Sequence, residues 1–371
     1  DVLVNHDTYE IQAVSFLKNR TEWVVLDKSI KDNFEAISKL DYGDFFVYDK
    51  DYNETIWIVG YSKDIGPLAF YTYNTKTRNA TFLFHNKPEL NKYALAKMEP
   101  ISFRSRDGKI IYGYITYPIG REKINLSIVL LAHGGPWNRD TWGYDSEVQW
   151  LANRGYAVLQ VNFRGSSGYG KNFLNAGNKE WGRKMHDDLI DGVNWAIEQD
   201  IANPDKIAIY GASYGGYAAL VGATFTPDVF CCAIGAFGPS NLVTLIKSFP
   251  PYWSVYLENF HRRVGNPDNE SEFLESRSPL FKVDNIKIPL LIVQGANDPR
   301  VKVNESEQIV KAMAEKNIDY EYLFFPDEGH GFGKPGNRIM FYAAAEKFLA
   351  NHLGGRYEEY YGNITVYKKI K

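Results

Sequence analysis

Gly211-Ala212-Ser213-Tyr214-Gly215-Gly216 follows the apolar run Ile207-Ala208-Ile209-Tyr210 and opens into the small-residue stretch Ala218-Ala219-Leu220-Val221. That order fits a strand, a sharp turn and a helix with a serine at the apex, the arrangement called a nucleophile elbow. The turn holds the serine backbone in a strained conformation, so side chains at the flanking positions would collide with it. Glycines at 211 and 215 remove those collisions, and the helix aims its N-terminal amides and positive dipole end at a developing oxyanion. The short motif recurs by chance in many chains, and its weight here comes from the strand–turn–helix context.

A nucleophilic serine needs a base, and the base needs an orienting carboxylate, which on this architecture follow in the order Ser, Asp, His at strand ends. Downstream, Pro289-Leu290-Leu291-Ile292-Val293-Gln294 reads as a buried strand that leads into Gly295-Ala296-Asn297-Asp298. Tyr320-Glu321-Tyr322-Leu323-Phe324-Phe325 reads as another, followed by Pro326-Asp327-Glu328-Gly329-His330-Gly331-Phe332. Ser213, Asp298 and His330 are therefore the expected triad. The other half of an oxyanion hole is expected after the strand Leu126–Ala132, in His133-Gly134-Gly135-Pro136. Bare backbone there lets an amide approach a substrate oxygen closely. The expected donors are the N–H groups of Gly135 and Tyr214, with His133 closing the loop.

Taken together, these stretches resemble the prolyl oligopeptidase family of serine peptidases, in particular its acylaminoacyl peptidase and dipeptidyl aminopeptidase-like branch. The resemblance rests on Ser105-Arg106-Asp107-Gly108 with Ile111-Tyr112-Gly113-Tyr114, on His133-Gly134-Gly135-Pro136-Trp137, and on Asn162-Phe163-Arg164-Gly165-Ser166-Ser167-Gly168-Tyr169-Gly170. It continues through Trp181-Gly182 ahead of Asp187-Asp188, Ser213-Tyr214-Gly215-Gly216-Tyr217, Ser278-Pro279-Leu280, Asn297-Asp298-Pro299-Arg300-Val301 and Gly329-His330-Gly331-Phe332. These run in family order from about residue 100 to 350 and imply an α/β-hydrolase fold, a mostly parallel sheet with helices on both faces. The family's catalytic domain is preceded by a β-propeller.

With 371 residues, the chain has room for one domain of about 250 residues and something smaller. Helical periodicity runs through Asp187–Gln199, Val303–Glu315 and Phe341–Leu353. Residues 1–95 read instead as short antiparallel strands, at Trp23–Leu26, Phe45–Tyr48, Thr55–Val59, Ala69–Tyr73 and Thr81–Phe84, with polar turns between them. A propeller blade takes roughly 40–50 residues, so this segment holds about two. We therefore expect a partial propeller-like segment over 1–95 and a catalytic domain over 96–371, the boundary falling between Asn91 and Pro100. The first residue is Asp1 rather than Met. The chain reads as the C-terminal portion of a longer enzyme, or else as a short form with a small β cap.

The formal net charge of −3, with both signs interspersed, argues against a nucleic-acid surface. Arg262-Arg263 and Lys368-Lys369 are too short to form a binding patch. No apolar run reaches the roughly 18 residues of a membrane span, and no secretory signal is visible, so a cytoplasmic location is expected. Cys231 and Cys232 are adjacent, with no third cysteine, and imply no disulfide framework. The N-x-S/T sequons at Asn53, Asn125 and Asn304 carry little weight without a secretory signal. No metal-ligand cluster or cofactor motif appears, and a homo-oligomer is compatible with the sequence.

The segment between Gly238 and Pro289 is rich in aromatics, among them Phe249, Tyr252, Trp253, Tyr256, Phe260 and Phe273. We expect it to line an apolar pocket for a hydrophobic residue or acyl group on the acyl side of the scissile bond, with Phe237, Tyr252 and Trp253 as candidate contacts. Arg139 is either a ligand for a substrate carbonyl or carboxylate, or half of a surface salt bridge. Three functions remain in view. They are a serine peptidase of short peptides, a carboxylesterase of acyl esters, and a binding relative without chemistry, against which the complete set of triad residues argues.

Overall fold

The almost wholly apolar run Leu126–Ala132 has no polar face to offer water. In the computed structural model, which describes residues 1–362 together with Ile364 and Tyr367, it lies inside an eight-stranded sheet. The Lys368-Lys369 pair is outside the described residues. The chain enters through a three-stranded antiparallel sheet of β1 (Val2–Val4), β2 (Ile11–Leu17) and β3 (Thr21–Val25). A short helix α1 (Lys31–Ile37) leads to a four-stranded antiparallel sheet of β4 (Asp44–Lys50), β5 (Ile56–Ser62), β6 (Ala69–Asn74) and β7 (Ala80–His85). Phe34 and Ile37 of α1 pack against Trp57, Val59, Tyr61 and Tyr73 as a separate apolar cluster.

From β8 (Met98–Arg104) onward the chain builds the large sheet. It adds β9 (Ile110–Thr116), β10 (Leu126–Ala132), helix α2 (Ser146–Asn153), β11 (Ala157–Asn162), α3 (Lys171–Asn175), α4 (Lys184–Glu198) and β12 (Ala202–Ala212). Next come α5 (Tyr214–Phe225), β13 (Cys232–Ala236), α6 (Leu242–Lys247), α7 (Ser254–Arg263), α8 (Ser271–Ser276), β14 (Leu290–Gly295), α9 (Val303–Glu315), β15 (Tyr320–Phe325) and α10 (Pro335–Leu353). The strand order is β15-β14-β13-β12-β10-β11-β9-β8, with β10 to β15 parallel and β8 and β9 antiparallel at one edge.

Side chains alternate across a strand, so a run buried on both faces feeds two cores. Ile128 and Leu130 of β10, with Ile207 and Ile209 of β12, join Leu189 and Val193 of α4, Leu220 of α5 and Ile309 of α9. Their neighbours Val129, Leu131, Ala208 and Tyr210 join Leu151 of α2 and Phe341, Phe348 and Leu349 of α10 on the other face. Helix α5 is buried on every side from Tyr214 to Thr224, which explains its run of glycine, alanine and other small residues. This is the α/β-hydrolase fold. Its parallel strands all end on one edge, and the loops after β10, β12, β14 and β15 carry the candidate site.

Candidate active site

Ser213 joins β12 to α5 with φ 60° and ψ −119°, a conformation that side-chain sterics disfavour. Backbone bonds hold it there: Ser213 N–H donates to Ala236 O at 2.9 Å, and Ser213 O accepts from Tyr217 N–H at 3.0 Å. A Cβ at 215 would stand 2.0 Å from Ala132 O, and one at 211 would stand 2.5 Å from the Gly215 carbonyl carbon. Only glycine fits at either place. Because α5 begins at Tyr214, the N–H of Tyr214 has no intrahelical acceptor and stays available at the helix end.

His330 stands beside this turn with Nε2 at 3.0 Å from Ser213 Oγ and Nδ1 at 2.6 Å from Asp298 Oδ2. The Asp298 side chain is fully buried, while that of His330 keeps 14% of its exposure. Asp298 Oδ1 accepts from the N–H groups of Arg300 and Val301 at 2.8 and 2.9 Å, so the loop itself orients the carboxylate. The two loops are tied together where Asn297 N–H donates to Glu328 O at 2.9 Å. Glu328, which the sequence reading did not single out, accepts from Gly333 N–H, Lys334 N–H and Asn337 Nδ2. These bonds fix the loop that carries His330.

Gly134 and Gly135 share the cavity wall with Ser213, and a Cβ at 134 would stand 3.5 Å from the Ser213 Cβ. His133 closes their loop, with Nδ1 at 2.9 Å from Gly134 O and Nε2 at 2.9 Å from Ser166 Oγ, and its ring stacks on Phe163. Burial pushes its pKa down to about 4, so the imidazole is neutral and structural.

A cavity of about 380 Å³ opens beside Ser213, walled by Trp181, Leu245, Phe249, Trp253, Phe260, Val301 and, as its cation, Arg300. Phe249 meets Trp253 and Phe260 edge to face at ring separations of 5.0 and 4.6 Å. Of the aromatics expected here, Trp253 is in the wall and Tyr252 is not. Tyr252 is 64% exposed, since neighbouring side chains of the tight turn Pro251–Trp253 point apart. Phe237 also lies outside this wall. With φ 51° it turns toward the opposite face of the sheet, packing edge to face on His330 and Phe332.

Arg139 is neither in the cavity nor in a surface salt bridge. It is buried, with Nη1 and Nη2 donating to Leu17 O and Lys18 O at 3.0 and 2.8 Å and the guanidinium lying over Tyr169. Sequence reading did not assign Trp181, Leu245 or Val301 to the cavity. The available signals were the position of Val301 three residues past Asp298 and the periodicity of Leu245 within α6. A wider cleft of about 760 Å³, bordered by Tyr93, Arg121, Trp150 and Arg356, contains none of Ser213, Asp298 and His330.

A serine at the apex of a strand–turn–helix, with an imidazole and a buried carboxylate in hydrogen-bond sequence beside it, defines an α/β-hydrolase with a serine–histidine–aspartate site. Residues 142–356 match the prolyl oligopeptidase family, and the chain belongs to that family. It is 49% identical over 365 residues to dipeptidyl aminopeptidase BIII of Pseudoxanthomonas mexicana, covering 96% of this chain and 53% of that protein. It is 38% identical to dipeptidyl peptidase family member 6 of Caenorhabditis elegans, covering 100% of this chain and 54% of that one. The chain thus spans about half the length of these curated relatives. Among solved structures, a puromycin-hydrolysing peptidase of Mycobacterium tuberculosis superposes with a TM-score of 0.72 at 30% identity, over 81% of this chain and 46% of that one. No helix among the described residues is long and apolar enough to cross a membrane.

Proposed function

We propose that the chain is the hydrolytic part of a serine peptidase that cleaves short peptides through an acyl-enzyme. Ser213 is the nucleophile, His330 the general base and then acid, and Asp298 the group that fixes the imidazole tautomer and stabilises the imidazolium. His330 Nε2 takes the Ser213 proton as Oγ attacks the carbonyl carbon, and returns it to the departing amine. Water then reverses the sequence on the ester. The N–H groups of Gly135 and Tyr214 hold the oxyanion, and loss of one such donor typically costs about 10²–10³ in turnover.

The hydrogen-bonded chain from Ser213 through His330 to Asp298 carries this reading. The aromatic cavity supports a hydrophobic residue on the acyl side, with Arg300 donating to a carbonyl of the bound peptide. The dipeptidyl peptidase names of the two relatives above support release of dipeptides from a free amino terminus. Residues 1–95 form an antiparallel propeller-like unit and residues 96–371 the catalytic domain.

Ser213→Ala is expected to abolish fluorophosphonate labelling and to lower hydrolysis of a dipeptidyl anilide by about 10⁴-fold or more. Labelling that survives the substitution assigns the nucleophile elsewhere. Faster turnover of an N-acetyl-aminoacyl anilide than of the free dipeptidyl anilide overturns the dipeptidyl assignment, and a nitrophenyl ester cleaved while both anilides resist makes the protein an esterase.

A further inference from the structure

A second cavity, of about 300 Å³, shares Gly134, Ser213 and His330 with the first. Otherwise the two draw on opposite faces of the sheet. Trp181, Leu245 and Val301 of the aromatic cavity belong to the core shared with α4, α5 and α9. Tyr210, Phe237 and Phe341 of the second belong to the core shared with α2 and α10. A carbonyl bound over Ser213 has one substituent on each side. If the acyl part fills the aromatic cavity, the amine part is directed toward the second.

The second cavity is mostly aromatic, but it contains one carboxyl group, that of Glu147 in the first turn of α2. The Tyr210 and Tyr342 hydroxyls both donate to Glu147 Oε1, the latter at 3.3 Å. Those bonds come from β12 beneath and α10 alongside, so the carboxyl is held in place from two elements. Oε2 has no hydrogen-bond partner among the described residues, and the residue is only partly covered at the cavity wall. Burial is the main cause that lifts its pKa to about 7, with the Asp145 carboxylate adding to it against the two tyrosines. Such a group lacks a counter-charge, and an ammonium or guanidinium entering the cavity relieves the desolvation cost of its ionised form. It shares the wall of this cavity with Ser213 and His330, and a perturbed carboxyl in such a cleft is a candidate functional group.

We propose that Glu147 sets specificity on the leaving-group side of the scissile bond, favouring peptides with a basic residue immediately after it. The inference rests on Ser213 forming an acyl-enzyme. Amine capture of that acyl-enzyme tests both. The nitrogen of an added amino-acid amide attacks the acyl carbon, a C–N bond forms and the C–Oγ bond breaks. The amine proton passes through His330 to the departing Ser213 Oγ.

The acyl-enzyme is generated from a dipeptidyl nitrophenyl ester, and capture by lysinamide is compared with capture by norleucinamide, which has the same chain without the ammonium. The wild type is expected to prefer lysinamide by about tenfold, and Glu147→Gln to bring the ratio close to one, with thermal unfolding confirming that the variant is folded. Glu147→Asp, which keeps the charge on a shorter chain, is expected to restore part of the preference. A wild-type ratio near one overturns the proposal whatever the variants do, as does an undiminished ratio in folded Glu147→Gln. Absence of nitrophenolate release from the wild type, or release that persists in Ser213→Ala, is a failure of the serine-hydrolase reading instead.

Discussion

His133 and His186 show burial winning over hydration at single residues. Both are buried, and burial pushes each pKa down to about 4, against about 6.5 in an unfolded chain. Their contribution to stability is fully present above pH 6.5 and is lost as the pH falls through 4, because below 6.5 only the unfolded chain binds the proton readily. Each accounts for at most about 3 kcal/mol over that window. Denaturant midpoints measured from pH 7 to 4 are expected to fall steeply for the wild type and less steeply for His186→Gln. Parallel curves refute the assignment. Trp253 is the corresponding test for specificity. Trp253→Ala opens the wall formed with Phe249 and Phe260 and is expected to narrow the preference for a bulky over a small acyl-side residue by about 10-fold or more, read as the ratio of kcat/KM values.

Between elements, a buried charged joint is made by Arg164, just after β11. Its guanidinium grips Asp188 of α4 through Nε and Nη2 at 2.8 and 2.7 Å, and Asp107 of the β8–β9 turn through Nη1 and Nη2 at 2.7 and 2.8 Å. Asp188 is fully buried, so Arg164→Met leaves a carboxylate without a counter-ion and is expected to cost about 3–5 kcal/mol. A urea midpoint within error of the wild type contradicts that account. The sequence motif contained both partners, but their pairing across 24 and 57 residues was not legible. Parallel strands such as Leu126–Ala132 and Tyr320–Phe325 were readable to the residue, since a run buried on both faces has a composition no loop shares. Strand β2 and helix α1 were missed. The first has a mixed pattern of buried and exposed positions, and the second is too short to establish a period. Helix α10 starts six residues before the apolar period at Phe341 becomes visible, at Pro335.

Across the whole molecule, the N-terminal sheets are joined to the large sheet by polar contacts as well as packing. Arg139 donates to the carbonyls that end the β2 strand, Tyr114 donates to Asn19 O at 3.0 Å, and Arg20 lies over the Trp142 ring. Arg139→Ala is expected to speed amide exchange about 10-fold or more across residues 11–25, with β12 and β13 unchanged. Uniform exchange rates through both regions count against this joint. Ser213, Asp298, His330 and the two-faced sheet followed from the sequence alone, because a glycine-flanked turn and strand-end loops are local features that chain order places on one edge. The wall of the aromatic cavity, the inward burial of Arg139 and the meeting of Glu147 with Tyr210 and Tyr342 were decided only by the tertiary structure. Those contacts depend on which faces of α2, α6 and α10 the sheet's twist and the loops between them bring together, and no local pattern records that.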